Sequence, residues 1–234
     1  MRRESSIDFA IYLRAVLLLI RHPAILVVPL LGALVSVLVA RVGQLFTDPL
    51  GGMGGGIVQF VQQLVIGFAF AVAILYANDL HRGFRTNFDS IWEDATKKAG
   101  AILLATIGFV FVVSVASMVG SILGTFGSLA LEVIAAFFLI YAIPAAAIAG
   151  LPGPMAISAS IRAVRANAAR AILLSIAFII CWVVLPNAAL FFLAGHFTTP
   201  LIFQIVPAMV QAVAFAYLAF PFAKNYDDVA FRGF

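Results

Sequence analysis

Residues 99–119 read AGAILLATIGFVFVVSVASMV, a run without one charged side chain. About 18 or more consecutive apolar residues are enough for a helix to cross the hydrocarbon core of a bilayer. A buried strand would be far shorter, and the run lacks the polar–apolar alternation of a membrane β-barrel strand. With no water in the hydrocarbon, a span must satisfy its own backbone groups, and a helix does so. This stretch therefore predicts a transmembrane α-helix.

The rest of the chain has the same character. Of its 234 residues, 64% are hydrophobic and only 10% charged, with a mean hydropathy of +1.14. Soluble domains carry about 25% charged residues. This composition cannot cover a core with polar surface, so it excludes a soluble enzyme or binding module and predicts an integral membrane protein. Six spans are read at roughly 24–42, 57–78, 99–119, 129–149, 171–193 and 200–223. The predicted fold is all-α: a polytopic bundle in one membrane domain, 1–234.

The connecting segments alternate in charge. GQLFTDPLGGMGGG, GSILGTFGS and GHFTT are nearly uncharged. The N-terminal segment, residues 79–98, residues 150–170 and the C-terminal tail hold 13 of the 14 Lys and Arg, leaving only Arg41 on the other side. Positive loops stay cytoplasmic. The net charge of +4 is thus explained by topology, with no call for nucleic acid. Both termini are expected inside, as an even number of spans requires. Arg2 and Arg3 precede an apolar run as in a signal peptide, but Arg14 interrupts it and no small-residue cleavage site follows, so the segment is read as retained.

Three shorter segments precede spans and show one apolar stripe each. The first has Phe9, Leu13, Val16, Leu17 and Ile20, with Arg14 and Arg21 on another face. The second has Phe88, Ile91, Trp92, Ala95 and Ala99, opposed by Asp89, Glu93, Asp94, Lys97 and Lys98. Its helix starts at Asn87 or Ser90. The third has Ile157, Ile161, Val164 and Ala168, opposed by Ser158, Arg162 and Arg165, with Pro154 in the first turn. Such segments are expected to lie as amphipathic helices on the cytoplasmic membrane surface. Arg14, Arg21, Lys97, Lys98, Arg162, Arg165 and Arg170 are the candidate lipid-headgroup contacts, at about 1 kcal/mol each near an anionic leaflet. The pattern of surface helix, span out and span back suggests a threefold pseudo-repeat over 5–78, 84–149 and 154–223.

Ala142-Ile143-Pro144, followed by Gly150, Ala156, Ser160, Val164 and Asn167 ahead of a long apolar helix, resembles a bacterial group. It comprises the six-span membrane domain attached to some glycerophosphodiester phosphodiesterases and related uncharacterised integral membrane proteins. The likeness is clearest over about 141–176. It implies a fold and a bacterial-type inner membrane location. It implies no activity, because the chemistry of such fusions resides in a separate soluble domain.

No constellation of catalytic groups is read. His22, His81 and His196 have no His, Cys or acidic neighbour at a ligand spacing. Cys181 is a lone cysteine within an apolar run, best read as packing. The Gly51–Gly56 stretch lacks the Lys and Ser/Thr of a phosphate loop and is read as an outer loop. No cofactor or metal is expected, and the chain is not read as an enzyme.

Polar residues inside spans are costly and often functional. Arg41, Gln59, Gln62, Gln63, Glu132, Asn187, Gln204 and Gln211 all lean toward the outer side. They are the candidates for an outward-facing polar pocket, with Arg41 and Glu132 expected to pair. Pro29, Pro144, Pro186, Pro207 and Pro221 are candidate helix breaks, and Ser117, Gly120 and Gly124 a close-packing surface. Two function classes follow. The first is a structural, scaffolding or lipid-organising subunit of a membrane complex, with lipids and other membrane subunits as partners. The second is a small-solute permease or channel.

Overall fold

The structure is a computed structural model that describes residues 9–50, 52–84, 87–194 and 201–232; for 46–50, 52, 53, 231 and 232 it describes the backbone alone. Helix α1 (Ala10–Arg21) turns through a 3-10 segment (Pro23–Leu26) into α2 (Val27–Leu50). Then follow α3 (Gly52–His81), α4 (Phe88–Lys97), α5 (Ala99–Ser121), α6 (Thr125–Leu139), α7 (Ala142–Ala149) and α8 (Gly153–Ala166). The chain ends with α9 (Ala168–Ile179), α10 (Leu185–Ala194) and α11 (Ile202–Arg232).

Six helical segments are long and apolar enough to cross a membrane: Pro23–Leu45, Gly54–His81, Ala99–Ser121, Thr125–Ala149, Ala168–Ala194 and Ile202–Ala230. The six-span, all-α bundle read from the sequence is present, and the protein is a multi-pass membrane protein. The first loop is corrected. Residues 43–50 continue α2 and 52–56 begin α3, so all but Gly51, which lies outside the described residues, is helical.

The core sits where α3, α7 and α11 meet. Its buried residues are mostly small: Ala71, Ala73 and Ala77 on α3, Ala145, Ala146 and Ala147 on α7, and Ala216, Ala219 and Ala223 on α11. Lipid tails are as apolar as side chains, so helices in a membrane associate through close packing, which small residues permit. Phe70, Phe178, Phe215 and Phe222 fill the spaces between them, with ring centroids 5.0–6.2 Å apart. Helix α11 is the central element, packing on α1, α2, α3, α7 and α10.

Two spans are interrupted, each near a proline. The fourth breaks at Ile140–Tyr141 between α6 and α7. Pro144 has no N–H to return to the Ile140 carbonyl and its ring crowds that group, which explains the break. The fifth passes through a π turn over Ile180–Val184, two residues before Pro186. There the Asn187 side-chain amide donates to the Val183 carbonyl at 2.7 Å, adding a side-chain bond to the backbone of the π turn. Pro207 and Pro221 lie inside a continuous α11.

The α5–α6 hairpin packs closely at two of the three predicted positions, Ser117 and Gly120, while Gly124 has open space at its Cβ. Ser117 and Ser128 hydroxyls are 2.8 Å apart, and Gly120 lies against the Gly127 backbone with no room for a Cβ. Gly124, at φ 83°, makes the turn.

The three short segments are helices, and burial refines their faces. In α4, Ile91 and Ala95 are buried as expected, and Asn87 rather than Ser90 caps the helix, its side chain accepting from the Asp89 N–H. In α1 the stripe Phe9, Leu13, Val16, Leu17 and Ile20 points away from the bundle, while Ile11 and Ala15 are buried against it. In α8 the buried line is Gly153, Ala156, Ser160, Ala163 and Val164. Bulky Ile157 and Ile161 are only half-buried. Hydropathy weights Ile above Ala or Ser, but close approach to α5 and α7 favours the smaller residues.

Candidate functional site

Two regions concentrate polar chemistry, at opposite ends of the bundle. The first is built by the last turns of α11, which carry Asp227 and Asp228 past the 200–223 run read from the sequence. Arg82, just after α3, pairs with Asp227 at 2.8 Å. Asp228 receives both Arg170 at 3.1 Å and Lys224 at 2.7 Å. The Arg170 and Asp228 side chains are only 16% and 15% exposed, so this pair is held largely out of water. The His81 ring nitrogen Nε2 lies 3.2 Å from the Phe220 carbonyl, where the neutral ring can donate to it. Lys98 bridges Asp94 at 2.9 Å and the Ile148 carbonyl at 3.4 Å. Together these bonds tie α3, α4, α5, α7, α9 and α11 into a charged belt at the basic end.

Inside the belt lie tyrosines. Tyr141 is fully buried, its ring 6.3 Å from that of Tyr226. The Tyr12 phenol sits beside the buried Asn225. Burial pushes this phenol up to about 12, with Asn225 pulling the other way, so Tyr12 stays protonated at neutral pH.

Ser160 performs a different task. Its hydroxyl donates to the Phe138 carbonyl at 2.7 Å and accepts from the Tyr141 N–H at 2.9 Å. Both are backbone groups at the α6–α7 break, where an unpaired donor or acceptor would cost most.

Two of the expected headgroup residues are engaged within the protein: Arg170 pairs with Asp228 and Lys98 with Asp94. Arg14, Arg21, Arg162 and Arg165 are exposed. Lys97 is exposed and pairs with Glu93 at 2.7 Å, the acid-before-base pair read from the sequence. Arg2, Arg3 and Arg85 lie outside the described residues.

At the far end, the expected single pocket is not formed. Gln62 donates to the Ser36 carbonyl and hydroxyl at 3.1 and 3.3 Å. Ser36 and Gln211 share a cavity of about 20 Å³ between α2, α3 and α11, room for about one water. Gln63 lines another, of about 40 Å³, walled mainly by Phe and Ile. Gln204 is half-buried with its Oε1 unpartnered. Gln59, Glu132 and Asn187 are exposed on the bundle surface. The expected Arg41–Glu132 pair is also corrected. Among the described residues no ion pair joins them, and α2 and α6 are not packed neighbours. Position around each helix decides which of these groups meet. His196 lies outside the described residues.

Sequence reading missed Asp227, Asp228 and Tyr12, and named Ser160 only among the residues of the resemblance, without a role. A signal existed for one: Lys224 and Asp228 are four apart, the spacing of an intrahelical pair.

No protein-family model, curated protein or solved structure matches this chain. The functional reading therefore rests on its own geometry.

Proposed function

We propose that this chain is a non-enzymatic membrane subunit that packs within the bilayer against a partner helix, using the outward face of the α5–α6 hairpin. The supporting observation is Glu132. It lies seven residues into α6, about 10 Å along the helix axis. It is exposed, without an ion pair among the described residues, beside exposed Leu129 and Val133. An ionisable group at membrane depth is costly and ordinarily faces protein or water rather than lipid. The same hairpin presents Phe111, Met118 and Phe126 at 65%, 76% and 89% exposure. Apolar side chains around one carboxylate suit a helix bearing a basic or hydrogen-bond-donating residue.

A permease would need a continuous polar path. Two interior cavities have volumes of only about 40 and 20 Å³, which favours the subunit reading. The positive-inside rule places the charged belt and both termini in the cytoplasm, with α1, α4 and α8 along the inner surface. The resemblance described above supports a bacterial-type inner membrane.

The test is extraction of the native protein in mild detergent, followed by sizing and mass spectrometry. The wild type should carry a second membrane chain, either a different protein or another copy. Glu132→Leu should shed it without lowering the thermal midpoint, since Glu132 forms no internal ion pair. A wild type that runs alone, or a complex that survives Glu132→Leu, overturns the proposal.

A further inference from the structure

On another face of the bundle, α2 and α5 both pack on α3 but not on each other. They leave between them an open groove of about 670 Å³, within the roughly 300–1,000 Å³ range of ligand pockets. Its walls include Leu31 and Val35 on α2 and Leu103 on α5, and its floor Val65 on α3. At one end α4 crosses it like a sill, presenting Trp92 and Asp89. Asp89 is the single charged residue in the lining. No ion pair among the described residues engages its carboxylate.

We propose that this groove is a lipid site, holding one acyl chain of a phospholipid whose primary ammonium headgroup pairs with Asp89. Two observations select this occupant. The first is length. From Val28 to Val35 the groove follows eight residues of α2, about 10 Å from first to last. It ends against the sill, too short for a helix crossing the roughly 30 Å hydrocarbon core. It suits a chain confined to one leaflet. The second is charge. A carboxylate at the mouth of an otherwise apolar groove repels a phosphate-only headgroup, and accepts a short charge-assisted hydrogen bond from an ammonium N–H. Trp92, with Phe88 stacked 6.4 Å away and Phe68 edge-on at 6.1 Å, marks the headgroup level, where Trp is enriched.

The protein supplies its own reporter, for it has two tryptophans, Trp92 and Trp182. In a Trp182→Phe protein, Trp92 is the sole emitter. It would be reconstituted in phosphatidylcholine vesicles with a minor fraction of phospholipid brominated near the carboxyl end of its chains. Brominated phosphatidylethanolamine should quench Trp92 about threefold more effectively than brominated phosphatidylcholine, the preference an exposed ion pair supplies. Brominated phosphatidylglycerol should quench least. Asp89→Asn should remove the preference while leaving the unquenched emission and thermal midpoint unchanged. Equal quenching by all three headgroups, strongest quenching by phosphatidylglycerol, or a preference that survives Asp89→Asn would each overturn the proposal. Trp92 shielded from every brominated lipid by a second copy, seen as a cross-linked dimer through α4, would overturn it too.

Discussion

Asp228→Ala is expected to be the most destabilising single substitution in this protein. Asp228 serves two cations at once, Arg170 from the start of α9 and Lys224 from its own helix. Removing it leaves both charges in a site only about one-sixth exposed on the Arg170 side. Loss of one partner from a buried pair typically costs about 3–5 kcal/mol, because the remaining charge stays desolvated. Lys224 is more exposed and can swing outward, so about 3 kcal/mol is expected. The buried free thiol of Cys181 gives a direct assay. A thiol-reactive dye should label the detergent-solubilised variant at a markedly lower temperature than the wild type. Asp228→Asn, which keeps hydrogen-bonding capacity, should fall between the two. Replacing all three charges together by Leu and Met should restore much of the loss, since the charges then leave the partly buried site together. A wild-type unfolding temperature for Asp228→Ala would show that the belt does not hold the bundle.

Ser160→Ala should produce the second largest effect. One hydroxyl satisfies two backbone groups, the Phe138 carbonyl and the Tyr141 N–H, in a fully buried position. Leaving a buried donor or acceptor unpaired costs about 1–3 kcal/mol. Only a small side-chain volume is removed, so packing loss contributes little. The specific readout is hydrogen exchange at the Tyr141 amide, which should become labile while amides in α3 and α11 stay protected. Uniform loss of protection through the bundle would assign Ser160 a general packing role instead.

These two residues show where sequence reading stops. Ser160 sits on a helix whose hydropathy pattern points to Ile157 and Ile161, so periodicity gives it no prominence. Its importance arises because Pro144 breaks the fourth span next to it, and the groups it satisfies are 19 and 22 residues away. Asp227 and Asp228 follow the 200–223 run and fall in the C-terminal tail of the sequence reading. The structure continues α11 to Arg232 and folds that end against Arg82 and Arg170. The far-end polar residues were read as leaning to one side of the membrane, and that alone could not say that Gln62 turns to Ser36 while Glu132 turns outward.

What the sequence determined by itself is the membrane class, the six spans and the concentration of basic residues in alternate connections. Bilayer thickness sets the length of each apolar run, and insertion reads charge beside each run, so both signals are local in the chain. What only the tertiary structure decided is the pairing. Arg82 finds Asp227 across 145 residues and Arg170 finds Asp228 across 58, and α2 and α5 leave a groove because both pack on α3. Those outcomes depend on the rotation of each helix about its axis and on the close fit of small residues at α3, α7 and α11, which no local pattern of hydropathy or charge encodes.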